Sequence, residues 1–387
     1  MSRPLHVAVL GLGALVLGLW LVAWQGAGAQ EPACAAPEPV CAARAAVFAV
    51  SSFDPLASAV RVGPEFLVTN RHVVADETRA EVRLADGRRL AAEVVPTGYA
   101  GDLALLRVAG LGEGPILQPG EARGAALTAG DLYVVGVDIE TRRVRATAPG
   151  RPILAPAAGK PLARLYHSAP SRPGHSGGAL LDRQGRLIGI VAAGGEGNNE
   201  AIPAAGVAAL LAARGPAHAG ESQARGAATR VCSDALDRAA QVGPRLKDAL
   251  AMTLERACAA SGNRQLLDLA GQALGRSARH ERALALFERA LEEDPNAINA
   301  RIGLVVTLHL TRRYGAAVPH LVWLLGVKAD NLQVLRMATL SGKWGEAPEL
   351  AARALALIET HHPLMAPSAR KFLASPDAPP RRPSPPQ

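Results

Sequence analysis

Aromatic residues make up only 3% of the 387 residues, and no block of lysine and arginine occurs, so there is no aromatic-basic face on which bases could stack. The net charge of +8 is scattered among 34 acidic residues; it permits weak attraction to anionic surfaces and argues against a nucleic-acid partner. Only one long apolar run is present, which excludes a multi-span membrane protein, and the composition suits neither collagen nor a coiled coil. None of the four cysteines stands in a CxxC pair, so disulfides are expected rather than a metal site. With 49% hydrophobic and 20% charged residues the chain is no disordered tail, and its length accommodates two or three domains.

The apolar run, Val7 to Trp24, follows a segment whose only formal side-chain charge is Arg3 and precedes Ala27-Gly28-Ala29, a small-x-small pattern. Two readings of residues 1–29 fit: a secretory signal cleaved after Ala29, or an uncleaved anchor that associates with the membrane through residues 7–24. Both deliver the remainder outside the cytoplasm, to the bacterial periplasm or beyond. The cysteines allow three pairings, of which Cys34–Cys41, in a leader of residues 30–44, and Cys232–Cys258 are favoured. Residues 231–241 and 245–259 read as amphipathic helices broken at Gly243-Pro244. An antiparallel hairpin brings the start of the first beside the end of the second, where Cys232 and Cys258 stand. Small buried free thiols are the alternative.

From about Ala45 the chain shows short Val-, Leu- and Ile-rich runs between turn residues, with Asp86-Gly87 as a hairpin turn. No helix-length pattern separates these runs, so residues 45–215 read as an all-β barrel or pair of barrels rather than a parallel βαβ fold. Residues 216–230 are small and polar and read as a linker. Residues 231–362 read as all-α, and the Pro-rich stretch 363–387 as a disordered tail. Within the helical part Leu267, Gly271, Leu274, His280, Ala283, Phe287, Ala290 and Pro295 follow the spacing of a tetratricopeptide unit. A shift of 34 residues reaches Arg301, Val305, Leu308, Tyr314, Ala317, Leu321, Leu324 and Ala329. Trp344 and Ala347 suggest a third unit with a short first helix, since Trp344 follows Tyr314 by 30 residues. Such stacks present a concave face that holds a protein partner; a plain helical bundle is the alternative.

The strongest chemical signal is Gly174-His175-Ser176-Gly177-Gly178. A serine hydroxyl needs a base to take its proton, and the oxyanion it generates needs preorganised donors. Glycine two residues before the serine lets the N–H groups of Gly174 and Ser176 turn inward as an oxyanion hole. His72, in Thr69-Asn70-Arg71-His72-Val73-Val74 at the end of a strand, is the candidate base. Asp102, leading the apolar Leu103-Ala104-Leu105-Leu106, is the candidate orienting carboxylate; Asp76 and Asp86 are its rivals.

At these residues the chain resembles the trypsin-like serine proteases of the HtrA/Deg branch. It shares their His…Asp…Ser order, with 30 residues from His72 to Asp102 and 74 from Asp102 to Ser176. The segments TNRHVV, DLALLRV and SAPSRPGHSGGALLDRQGRLIGIV are similar to that family's three catalytic segments. The resemblance covers residues 45–215 and implies a chymotrypsin-like double six-stranded β-barrel with the triad between the barrels, followed by the all-α tetratricopeptide-like domain. It implies His72 as base then acid, Asp102 as its orienting partner, Ser176 as nucleophile, and no cofactor or metal. Two departures stand out: His175 replaces the usual Asn or Asp, and helical repeats stand where many relatives carry a PDZ domain. By analogy Pro170 and Ser171 line the base of the primary pocket and Ala192, Ala193 and Gly194 its wall. No aspartate stands there, so cleavage after Val, Ala or Leu in unfolded or extended chains is expected, rather than after Arg or Lys. The resulting expectation is an exported serine endopeptidase acting on proteins or peptides. A catalytically silent protease-fold adaptor and an esterase using the same triad are the alternatives.

Overall fold

The computed structural model describes residues 34–119, 130–194 and 199–379; the segment Val7 to Trp24 lies outside them. Strands β1 (Val47–Ser51), β2 (Ala57–Arg61), β3 (Phe66–Thr69), β4 (Arg79–Arg83), β5 (Arg89–Val95) and β6 (Ala104–Val108) close an antiparallel barrel in the order β1-β2-β3-β6-β5-β4. Alternation builds it: along β4, Ala80 and Val82 are buried while Arg79, Glu81 and Arg83 reach toward solvent. A short helix, α1 (Glu38–Ala42), precedes the barrel and is tied to the leader by the Cys34–Cys41 bridge. A single turn, α2 (Arg71–Val74), follows β3.

The second sheet comprises β7 (Leu132–Asp138), β8 (Arg143–Ala146), β9 (Pro152–Leu154), β10 (Leu165–His167), β11 (Ala179–Asp182), β12 (Leu187–Ala193) and β13 (Asn199–Pro203). Its order is β8-β7-β11-β12-β13-β10-β9, and Gly150, just before β9, pairs with Leu132 of β7 through two 2.8 Å hydrogen bonds that draw its ends together. Val60, Leu103 and Leu105 of the first barrel pack with Tyr133, Val135 and Ile190 of the second sheet in one core, so the two are a single hydrophobic unit. Helix α3 (Ala204–Ala212) leaves the sheet, burying Val207 and Leu210.

Nine α-helices follow among the described residues: α4 (Ala219–Val242), α5 (Asp248–Ala260), α6 (Arg264–Arg276), α7 (His280–Glu293), α8 (Ile298–Leu310), α9 (Tyr314–Val327), α10 (Leu332–Trp344), α11 (Pro348–His361) and α12 (Ala366–Ala374). The Cys232–Cys258 bridge joins α4 to α5. None of the described helices is long and apolar enough to cross a membrane.

Three readings of the sequence change here. The segment expected as a linker, residues 216–230, is mostly the first half of α4. It carries no apolar stripe because it docks through backbone and charge. A Cβ at Gly226 would sit 2.3 Å from the Ala75 carbonyl oxygen; Arg225 donates to the Tyr99 carbonyl at 3.1 Å, and Arg230 pairs with Asp76 and, at 2.6 Å, with Glu77. The tail expected to be disordered from Pro363 is helical through Ala374: Phe372 packs edge-on to Trp344 at 5.3 Å, and Lys343 Nζ donates to the carbonyls of Phe372 and Ser375 at 2.6 and 2.7 Å. The third hairpin keeps the 34-residue interval, with first helices starting at Arg264, Ile298 and Leu332 and a full 13-residue α10. Trp344 is therefore not the equivalent of Tyr314; it ends α10 and stacks on Tyr314 at 5.1 Å. The small position of the third unit is Ala351, whose backbone nitrogen would lie 2.6 Å from a Cβ at Gly342.

The helices join the second sheet through buried charge. Arg264, 2% exposed on the first turn of α6, pairs with Glu200 of β13 and with Asp268 at 3.0 Å, and lies 3.7 Å from Asp294. Asp294 in turn accepts from the Tyr166 hydroxyl at 3.0 Å and the Arg164 backbone N–H at 3.1 Å. Removing Arg264 leaves Glu200, Asp268 and Asp294 without the cation they share, so Arg264→Met is expected to cost about 3–5 kcal/mol of unfolding free energy in chemical denaturation. Burial pushes the Asp268 carboxyl up from 3.8 to about 7, against the pull of Arg264. The folded chain then keeps a proton that the unfolded chain sheds, and stability falls as pH rises through that window. Relative to wild type, Asp268→Asn is expected to gain stability steadily between pH of about 4 and 7, measured by denaturation at each pH.

Candidate active site

Strand β3 ends at Thr69, and the chain turns once as α2, which lifts His72 to the rim of the first barrel; His72 thus sits in a helical turn rather than at a strand end. Its backbone N–H donates to Asp102 Oδ1 at 3.0 Å and its Nδ1 lies 2.9 Å from Asp102 Oδ2. The carboxylate accepts from Nδ1–H, which leaves Nε2 as the basic nitrogen. Asp102 is 1% exposed, His72 19%. Burial alone would lower the imidazole pKa; the charge of Asp102, its hydrogen bond and the charge of Asp54 outweigh that and raise it above 6.5. Burial likewise pushes Asp102 up, and the His72 charge, their hydrogen bond and the Arg164 cation more than offset this, holding it below 3.8. Arg164 is itself buried, with Nη2 3.9 Å from Asp102 Oδ2. Asp76 and Asp86, the rivals for the orienting role, lie elsewhere: Asp76 pairs with Arg230 and Asp86 with Arg88.

Ser176 stands on the loop between β10 and β11. Arg172 and His175 are joined across Pro173-Gly174 by a 3.0 Å backbone bond from the His175 N–H, and Gly174 has φ +91°, where a Cβ would meet the Val137 carbonyl oxygen at 2.4 Å. His175 is tied into the turn: its Nδ1 accepts the Arg172 backbone N–H at 3.2 Å. Burial and the Arg172 charge lower its pKa, which keeps that nitrogen free to accept. Neither the Gly174 nor the Ser176 N–H finds an acceptor among the described residues.

The loop is fastened to the first barrel by Ser58, fully buried on β2. Its N–H donates to the Ser176 carbonyl at 2.8 Å, its hydroxyl donates to the Gly174 carbonyl at 2.6 Å, and the same oxygen accepts the Val137 N–H at 2.8 Å. Gly177, at φ +79°, passes so close that a Cβ would lie 2.1 Å from the Ser58 carbonyl oxygen. Ser58, Arg164 and Asp54 were not picked out in the sequence. Ser58 was visible only as a polar residue beside an apolar strand, and the other two carried no local signal.

His72 and Ser176 line one cavity of about 450 Å³, and no hydrogen bond joins them among the described residues, a resting geometry that substrate commonly tightens. Of the residues expected at the primary pocket, Ser171, Ala192 and Gly194 line this cavity; Pro170 does not, and Val191 and Pro173 take its place. The Ala193 side chain is outside the described residues. No group of three or more His, Cys, Asp or Glu side chains among the described residues could hold a metal ion.

Residues 57–190 match the family model of the trypsin-like peptidase domain. Over this stretch the chain is similar to trypsin-like peptidases. The chain is 32% identical over 130 residues to a Pseudomonas fluorescens protein named "Probable periplasmic serine endoprotease DegP-like", covering 32% of this chain and 26% of that one. It is 32% identical over 130 residues to the serine endoprotease DegS of Escherichia coli, covering 32% of this chain and 36% of that one. The chain thus spans about a third or less of the length of these relatives. Among solved structures, the Rv3671c protease of M. tuberculosis in its active form is similar at 25% identity and a TM-score of 0.40, covering 47% of this chain and 89% of that one.

An imidazole acting as base at His72 must be neutral, so activity is expected to rise with pH through the His72 pKa. The Arg164 cation holds that pKa down. Arg164→Gln is expected to move the acidic limb of the kcat/KM profile to higher pH, read from the pH dependence of peptide cleavage. Ser58→Ala removes the hydroxyl that bridges Gly174 and Val137, and is expected to lower kcat roughly 10- to 100-fold with little change in KM, the split expected when oxyanion donors are misplaced.

Proposed function

We propose that the chain is an exported serine endopeptidase that cleaves unfolded or extended proteins through an acyl-enzyme on Ser176. The single observation carrying this reading is His72, paired with the buried Asp102 at 2.9 Å, lining one cavity with Ser176, on a loop whose Gly174 and Ser176 N–H groups are unclaimed among the described residues. His72 Nε2 takes the proton as Ser176 Oγ attacks the scissile carbonyl carbon, and Asp102 stabilises the imidazolium. The Gly174 and Ser176 N–H groups receive the oxyanion. As it collapses, the C–N bond breaks and His72 returns the proton to the departing amine. Water, deprotonated by the same histidine, then releases the acyl group. Ser171, Ala192 and Gly194 leave room for Val, Ala or Leu before the cut; none of the three carries a carboxylate, and the acidic groups lining the cavity are Asp54 and Asp237. The relatives named for the periplasm, together with two disulfides, support a periplasmic site of action. Residues 231–362, read as tetratricopeptide-like, would recruit a protein substrate or partner.

A fluorophosphonate probe is expected to label the purified chain and not its Ser176→Ala variant. Digestion of denatured casein should give cuts mainly after Val, Ala and Leu. Equal absence of label from both proteins, or cuts mainly after Arg and Lys, would refute the mechanism or the pocket assignment respectively.

A further inference from the structure

The cavity around His72 and Ser176 has a wall that the peptidase domain does not supply. Ser233 and Asp237 of α4, the cap residue Asn263, and Gln265, Leu266 and Leu269 of α6 line it together with Val191, Ala192 and Gly194. A second cavity, of about 700 Å³, meets the first at Asp54, Pro55, Pro173 and Ser176 and is lined only by peptidase-domain residues, among them Glu81, Arg83 and Arg142. The cleft therefore has two limbs that join at the nucleophile, and only one is faced by helices.

The helical wall has both chemistry and rigidity. Leu266 and Leu269 stand three residues apart on one face of α6, with Leu269 left 38% exposed. Asp237 is exposed and has no ion-pair partner among the described residues. Neither helix can swing away cheaply. Asn263 caps α6 by accepting the Gln265 N–H at 3.0 Å, Arg264 is locked between Glu200 and Asp268, and α4 is held by Arg230 on Asp76.

We propose that α4 and α6 form the substrate-selecting wall on one side of the scissile bond. They take an extended peptide that lays an apolar side chain against Leu266 and Leu269 and a basic side chain toward Asp237. This rests on the reading of Ser176 as a protease nucleophile. A peptide held at this wall gains orientation at the reacting carbonyl, so the helices act in catalysis through positioning the substrate.

The full chain is compared with Leu269→Asp and Asp237→Lys, both at exposed positions, by fluorophosphonate labelling and by cleavage of a position-randomised peptide library. Labelling reports the triad alone. Leu269→Asp is expected to lower kcat/KM about tenfold for peptides with an apolar residue at the affected position. Asp237→Lys is expected to replace a preference for a basic residue by one for an acidic residue, with both changes confined to one side of the cut. Variants that label as wild type does and cleave with its unchanged profile would overturn the proposal, and would leave the face to some other protein. Failure of the wild type itself to label would overturn the protease reading and this inference with it.

Discussion

A base on one barrel and a nucleophile on another can cooperate only if the two barrels are held in register to a fraction of an ångström. In this chain that constraint falls on Ser58. From the first barrel it grips the loop of the second at two carbonyls, those of Ser176 and Gly174, while its hydroxyl accepts the Val137 N–H. The shared core supplies the adhesion between barrels, and these directional bonds supply the register. Gly177 is the counterpart, since only a residue without a Cβ can pass the Ser58 carbonyl at this separation. His175 then stabilises the turn from within through the Arg172 N–H, so the loop is held from two sides before any substrate arrives.

The helices meet the peptidase domain by a different principle. Apart from Tyr166, Ile153 and Leu154, which join the helical core, the contact is built from charge and backbone approach. Buried charges are a costly way to hold two bodies together, and they tolerate little displacement because each oxygen must keep its partner. That intolerance is useful here: the Arg264 cluster fixes the start of α6, and the residues that follow it line the cleft. One element of this cluster, Asp294, also holds the backbone N–H of Arg164, whose guanidinium lies beside Asp102. The helical layer and the triad are thus two ends of one buried polar network.

Much of the site was legible because its chemistry is written in short contiguous segments. Gly174 to Gly178, His72 after an apolar strand and Asp102 before one each carry their own backbone signal, and the structure pairs His72 with Asp102 and sets His72 in one cavity with Ser176. The helical period was legible in its first two units for the same reason, and the 34-residue interval recurs twice across three hairpins. Where reading failed, the cause was long-range partnering. Residues 219–230 look like a linker because their helix is stabilised by Asp76, Glu77 and the backbone of Ala75 and Tyr99, all more than 100 positions away. Trp344 was misplaced in the repeat because an aromatic in a small-residue sequence invites alignment with Tyr314, whereas it stacks between Tyr314 and Phe372.

By itself the sequence determined the class of each half, the candidate residues His72, Asp102 and Ser176 and the glycine-rich turn around Ser176, because alternation, glycine placement and local spacing are properties of neighbouring residues. Only the tertiary structure decided that Ser58 holds the nucleophile loop, that Arg164 stands beside Asp102, and that α4 and α6 face the cleft. Those facts depend on which distant segments share a buried volume, and a buried polar atom is committed to whatever partner the fold delivers to it.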